Sequence, residues 1–276
     1  MGEESVKTLR HNLKGIYTVW LRDILRFIRE PARIAGSLGG PMLYLFVLGG
    51  GLSSSLGGLS IGAGGGGAPF DFRQFLFPGV LGMTVLFTSV FSAISIVWDR
   101  EFGFLKEVMV APISRTAVAL GKIAGGSTQA MIQAAVVLAL APLIGVHLGF
   151  VQILTLLGLL LVVAAVLTTL GVVIAARQHS TEGFQFVMQF LVLPMFFLSG
   201  ALFPLRNLPA WLSSLSTIDP LTYGVDALRR IALGATLSPQ LLGEVVAHPL
   251  WLDMAVLAGF GLALLIPAVW LFNLKD

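Results

Sequence analysis

Residues 150–176 read FVQILTLLGLLLVVAAVLTTLGVVIAA, 27 positions without a single charge. Wound as an α-helix, that run would reach about 40 Å, more than the roughly 30 Å hydrocarbon core of a bilayer. Five further apolar stretches resemble it, so membrane spans are predicted at 34–56, 74–98, 118–146, 150–176, 184–205 and 251–274. Two of them carry aromatic rulers, Phe77 to Trp98 and Trp251 to Trp270. Each pair is separated by roughly 30 Å of helix, the distance between the two interfacial aromatic belts. The composition agrees: 56% of the 276 residues are apolar, 11% are charged, and mean hydropathy is +0.91. A soluble domain carries about 25% charged residues. The chain reads as an all-α polytopic membrane protein. It has no cysteine, which excludes a disulfide scaffold, a thiolate metal site and a cysteine nucleophile.

Outside the spans, charge sets the orientation. Residues 8–30 lack the continuous apolar run of a signal peptide, since Leu9, Leu13, Ile16, Trp20, Ile24 and Phe27 recur at helical spacing among charges. Arg22, Arg26, Arg29 and Arg33 follow at steps of four, three and four, which predicts an amphipathic helix lying at a membrane face, broken by Pro31. With six spans and the N-terminus inside, the inner segments hold 13 of the 17 basic residues and the outer ones only Arg73, Arg206, Arg229 and Arg230. The excess of inner positive charge places both termini in the cytoplasm. It also accounts for the pI of 9.5 without nucleic acid as a partner.

The connections read differently from one another. Gly64 to Gly67 in the first outer loop suggest a flexible linker. The inner segment 99–115 mixes charges with apolar residues and meets Pro112, as a short amphipathic helix would. The outer stretch 206–250 carries its own helix punctuation: Asp219 before Pro220, Gly234 as terminator, then Ser238 before Pro239. Short helices resting on the outer leaflet are expected there.

The chemistry that is missing narrows the function. The spans contain almost no ionisable residue, with Lys122 at an inner boundary and His147 at an outer one, so the charges that proton- or sodium-driven carriers place at membrane depth are lacking. A nucleophile with a base, or a carboxylate cluster, is likewise missing from the spans, and no catalytic residue is assigned. His11, His147, His179 and His248 share no ligand spacing and read as loop or interface residues, so no metal is assigned. No G-x-x-x-x-G-K-[ST] occurs, so the chain cannot cradle a nucleotide in that way, and uphill work would draw on another polypeptide. The polar residues within spans are uncharged and periodic: Thr84, Thr88, Ser92 and Ser95 on the second, Gln129 and Gln133 on the third, Gln185 and Gln189 on the fifth. Hydrogen bonding between helices is the favoured reading and the lining of a substrate path the other. Gly36 with Gly40, Gly121 with Gly125, and Ala255, Gly259 and Ala263 give small residues at the spacing that permits close helix packing.

Two segments carry a family resemblance. Arg100 to Arg115 reads REFGFLKEVMVAPISR, and after the fifth apolar stretch come LSGALFP (198–204), LPAWL (208–212) and DPLTYGVDALR (219–229). In this order they resemble the permease subunits of type-2 ABC exporters, which export drugs, polyketides, lipids or polysaccharides. Phe104 stands where that family often has a small hydroxyl residue, and Val108 at a usual Leu position. The resemblance implies one permease domain over 1–276, with an interfacial helix at 8–30, six spans, a cytoplasmic coupling helix at 99–115 and short re-entrant outer helices before the last span. It implies that Arg100, Glu101, Phe102, Gly103, Leu105, Glu107, Val108, Met109, Pro112 and Arg115 couple to an ATPase. Two ATPase copies, holding ATP and Mg, and a second permease subunit, identical or paralogous, would complete the unit in the cell membrane, among lipids that Arg22, Arg26 and Arg29 could contact. The expected function is export of a hydrophobic or amphipathic compound, since an uncharged wall compensates a buried charge poorly. A polysaccharide or glycolipid exporter, or a membrane scaffold that only docks an ATPase, are the rivals.

Overall fold

The computed structural model describes residues 2–56, 72–103, 113–206 and 208–273. These residues are helical throughout, with short turns and no strand among them. The order is α1 (Gly2–Ile28), α2 (Pro31–Met42), a π-helical segment (Leu43–Leu48), α3 (Gly49–Leu56), α4 (Phe72–Ser92), α5 (Ile94–Glu101), α6 (Arg115–Ala139), a 3-10 turn (Ala141–Ile144), α7 (Phe150–Ala175), α8 (Thr181–Leu198), α9 (Ala210–Ile218), α10 (Pro220–Leu233), α11 (Pro239–Val245) and α12 (Leu250–Asn273).

Local chemistry explains the boundaries. Ser114, Ser180, Asp219 and Ser238 cap α6, α8, α10 and α11, each side chain accepting a hydrogen bond from a backbone N–H of the first turn. Pro31, Pro220 and Pro239 open their helices where no donor is needed. Pro41 lies inside α2 and lacks the N–H that would bond one turn back, and the π-helical segment follows directly. The apolar stretch at 184–205 outlasts its helix: α8 ends at Leu198, because Gly200 adopts φ +72° and turns the chain. The stretch at 118–146 likewise gives a helix only to Ala139, with Pro142 in the 3-10 turn beyond it. The stretch at 74–98 is two nearly continuous helices that break at Ala93, where Ser92 turns its hydroxyl onto the Ser89 carbonyl (2.6 Å).

The core is built round α4, buried on every side from Phe75 to Leu86. It packs against α6, α7 and α10, and α12 closes the bundle over α7 and α10. In lipid the apolar effect does not drive helices together, so close packing and polar contacts must. Gly79 shows the first: a Cβ there would lie 2.7 Å from the Cα of Ala201, so only glycine admits the turn after α8. Among the described residues five segments are long and apolar enough to cross a membrane: Ile34–Ser55, Phe72–Glu101, Phe150–Ala175, Thr181–Leu198 and Pro239–Phe272. Helix α6 is as long, 25 residues, but more polar. Its polar side chains Lys122, Ser127, Gln129 and Gln133 are buried.

Candidate functional site at one end of the bundle

Helix α1 presents Val19, Asp23, Ile24 and Phe27 inward, at the spacing of one helical face. It lies on α6, and the small pair Gly121 and Gly125 makes the seat: a Cβ at Gly121 would stand 2.8 Å from the Cβ of Val19, and one at Gly125 3.2 Å from that of Asp23. Trp20 Nε1 donates to Thr128 Oγ1 (3.0 Å), and the Ser114 backbone N–H donates to Asn12 Oδ1 (2.9 Å).

Within this seat four charges close on one another. Lys122, 4% exposed, donates from Nζ to Asp99 Oδ2 (2.8 Å), Ser95 Oγ (3.0 Å) and Asp23 Oδ1 (3.3 Å). Arg22 donates from Nη2 to Asp99 Oδ2 (2.5 Å), and its Nε lies 3.5 Å from Asp23 Oδ1. Two cations thus meet two carboxylates, and all three ammonium protons of Lys122 have acceptors. The guanidinium of Arg26 stacks 4.9 Å over Trp98. This quartet joins α1, the end of α5 and α6. An uncompensated buried charge is costly, so the quartet opposes separation of the three elements.

The last turn of α5 reaches in a second direction. Arg100 donates to the carbonyls of Gln178 (2.8 Å) and Ala176 (3.0 Å), supplying positive charge at the C-terminal end of α7, and Glu101 accepts from the Thr181 hydroxyl. Arg115 approaches the Phe272 carbonyl near the end of α12 (3.5 Å). Phe102 stands 72% exposed, and Gly103 adopts φ +79°, a conformation that favours glycine. Leu105, Glu107, Val108, Met109 and Pro112 lie outside the described residues, as does the Arg33 side chain. Of the other arginines in the stripe on α1, Arg22 and Arg26 turn to Asp99 and Trp98, and Arg29 is exposed.

The polar stripes divide. Thr84 and Ser92 bond back to their own helix, while Thr88 donates to Gln133 (2.5 Å), Gln133 donates to Ser37, Gln129 donates to the Asp23 carbonyl (3.4 Å), and Ser95 receives Lys122. Thr88 and Gln133 also line a groove of about 310 Å³ with Phe27, Ser37, Met83 and Phe87. Gln185 and Gln189 are exposed on α8 beside Phe186 and Phe190.

Asp23 and Asp99 were not singled out in the sequence. Each is a lone carboxylate near an apolar segment, and the hint was Lys122 on a facing helix, which has to find a partner. A second cluster at the opposite end of α4, by Phe75, was also missed. There Arg229 stacks 4.2 Å over Phe75 and donates to the Gly200 carbonyl (2.8 Å), while Asp226 accepts from backbone N–H groups. Burial lowers the guanidinium of Arg229 to about 10, against a raising influence from Asp226. Nothing in residues 219–253 announces that Asp226, His248 and Asp253 converge.

Five helices long and apolar enough to cross a bilayer, with buried charge clusters at both ends of the bundle, define a multi-pass membrane protein. The chain belongs to the ABC-2 type transporter family, whose profile matches residues 14–233. It is 28% identical over 240 residues to nodulation protein J of Rhizobium leguminosarum bv. trifolii, covering 85% of this chain and 87% of the relative. It is 26% identical over 226 residues to the putative transport permease ycf38 of Cyanophora paradoxa, covering 79% and 73%. It is 27% identical over 197 residues to the probable multidrug ABC transporter permease YbhR of Escherichia coli, covering 70% of this chain and 51% of that one.

Proposed function

We propose that this chain is the permease subunit of an ATP-driven exporter in the cell membrane, moving a hydrophobic or amphipathic compound outward. The observation that carries the reading is the charge quartet of Arg22, Asp23, Asp99 and Lys122. It binds the amphipathic helix and the inner end of the second span into one unit, a few residues before the segment 104–112. A push delivered to that segment and to α1 would pass through Asp99 and Lys122 into α4 and α6, and the break at Ala93 lets the inner end tilt. Helix α6 counts as the sixth span: its 25 residues reach about 37 Å, and its polar groups face the bundle. Both termini are then cytoplasmic, and Asp226, His248 and Asp253 lie outside.

Energy comes from a separate ATPase in two copies, which bind ATP and Mg, because the sequence has no phosphate-cradling loop. A second permease copy or a paralogue faces α8, where exposed Gln185 and Gln189 would be poorly placed against lipid. Apolar cargo accords with the multidrug name of the Escherichia coli relative.

The test pairs the chain with its ATPase in proteoliposomes. Alone, the chain should neither bind nor hydrolyse ATP; together, turnover should rise with a hydrophobic drug. Phe102→Ala, at an exposed side chain, should leave the thermal transition of the chain in place and weaken co-purification at least tenfold, about 1.4 kcal/mol. Docking and turnover equal to the parent would remove this face from coupling, and turnover that no compound stimulates would favour a scaffold.

A further inference from the structure

Three side chains from three separate elements meet beside the second cluster. Asp226 comes from the middle of α10, His248 from the connection after α11, and Asp253 from the first turn of α12. One ligand atom from each lies within 4.8 Å of the other two. His248 Nδ1 stands 3.6 Å from Asp226 Oδ2 and 3.7 Å from Asp253 Oδ1. We propose that Asp226, His248 and Asp253 form a binding site for a divalent transition-metal ion, zinc above all, which ties α10 to the last span.

The distances themselves discriminate. At 3.6 and 3.7 Å the imidazole is too far from either carboxylate for a hydrogen bond, for which about 2.7–3.2 Å is usual. Tetrahedral ligands at zinc bond lengths of about 2.0–2.1 Å stand roughly 3.4 Å apart, so the imidazole already stands within a few tenths of an ångström of that spacing from each carboxylate. The second observation is Asp253. Its side chain is 0% exposed, and neither oxygen has a hydrogen-bond donor among the described residues; His248 Nδ1 is likewise without one. A cation seated between the two carboxylates would compensate the buried charge that no donor among the described residues reaches.

The neighbouring guanidiniums do not serve as that cation through direct hydrogen bonds. Arg229 donates to the carbonyls of Gly200 (2.8 Å) and Val245 (3.4 Å), and Arg230 donates to the carbonyl of His248 (2.5 Å). That last contact positions the histidine instead. The surroundings then resemble the outer shell of a metal site. Asp226 is oriented by the backbone N–H groups of Ala247 (2.9 Å) and His248 (2.7 Å), and the imidazole stacks on Tyr223 with centroids 5.2 Å apart. The side chain of His248 is 24% exposed, while its Nδ1 and both Asp253 oxygens are buried. One imidazole and two carboxylates suit zinc or cobalt, with water in a fourth position, better than calcium, which takes six or more oxygens.

The test uses the full chain in lipid nanodiscs, without a polyhistidine tag, stripped with a chelator and then titrated with Zn²⁺ or Co²⁺. One equivalent should bind per chain, raise the thermal transition, and with Co²⁺ give the intense visible bands of a four-coordinate ion. His248→Ala and Asp253→Asn should each lower affinity at least a hundredfold, while replacing His11, His147 and His179 together by Ala should leave it unchanged. Should the variants fail to fold, the zinc X-ray absorption spectrum of the parent decides, since it should show a single imidazole among oxygen ligands. No stoichiometric binding by the parent, binding that survives His248→Ala, or several imidazoles around the zinc would each overturn the site. Failure of the transport reading leaves this test untouched, because binding is measured on the chain alone.

Discussion

The quartet of Arg22, Asp23, Asp99 and Lys122 and the cluster of Asp226, Arg229, Arg230, His248 and Asp253 both bury charge in an apolar bundle, yet they resolve it oppositely. In the first, cation meets carboxylate directly, Lys122 at 2.8 Å and Arg22 at 2.5 Å from the same Asp99 oxygen. In the second, the guanidiniums bond to carbonyls, Asp226 is held by backbone N–H groups, and Asp253 has no donor among the described residues. The first is electrostatically complete and acts as a fixed joint between three elements. The second holds its elements by carbonyls and N–H groups and keeps a ligand set free. The two ends of one bundle therefore make different demands on a mutation, and the same substitution should have opposite signs at each.

The largest effect is expected at Lys122. Lys122→Met removes the buried one of the two cations that bridge both carboxylates, and breaking such a pair from one side costs about 3–5 kcal/mol. Intrinsic tryptophan fluorescence during heating should show a markedly lower transition, or loss of folded protein on extraction. A transition within a degree or two of the parent would mean that water or Arg22 already satisfies Asp23 and Asp99, and the contrast between the two ends would fail.

A pair of matched substitutions sharpens it. Asp99→Asn takes away the acceptor shared by Lys122 and Arg22, leaving an excess of positive charge, and should cost about 1–3 kcal/mol. In chelator-treated protein, Asp253→Asn removes a carboxylate that no donor compensates, and should leave the transition unchanged or raise it. Urea or thermal unfolding of the two variants side by side measures both signs. Equal destabilisation would show that Asp253 has partners as good as those of Asp99.

Much of this architecture could be read along the chain, and particular residues show where reading stopped. The apolar run at 150–176 became α7 almost residue for residue, and the Asp-Pro and Ser-Pro pairs stand at the starts of α10 and α11, because capping and φ restriction act within a few residues. The end of α8 at Leu198 was overrun, since Ala201, Leu202 and Phe203 continue an apolar pattern that a positive φ at Gly200 cuts. Sites suffered more than spans. The Thr and Gln stripes could be placed on helices but not assigned partners, and Thr88, Gln133 and Ser37 proved to be links of one hydrogen-bonded chain. Asp23 and Lys122 are 99 positions apart, and Asp226 meets His248 only because α11 and its turns fold back. Contact across such separations depends on helix packing, which no local pattern encodes.

The smallest effect concerns Asp219, which caps α10 near the second cluster. Its Oδ1 accepts from the Leu221 N–H (2.9 Å), yet burial outweighs that bond and the one to Thr222, and lifts the carboxyl from 3.8 to about 7. The folded protein then holds a proton that the unfolded chain has released between those two values. Stability must therefore be greatest below pH 4 as far as this group is concerned, fall as pH rises through the window, and level off above pH 7. Between pH 6 and pH 8 the loss is about 1 kcal/mol, small enough to need a reference. Asp219→Asn supplies one: the amide oxygen keeps the cap, and no charge forms. The thermal transition of the parent should drop relative to that of the variant on going from pH 6 to pH 8, with the variant the more stable at the higher pH. A parent and variant that stay parallel across this range would mean that Asp219 is already ionised at pH 6, its cap bond outweighing burial. The carboxyl beside the second cluster would then be charged and compensated by its donors, as Asp99 is in the first.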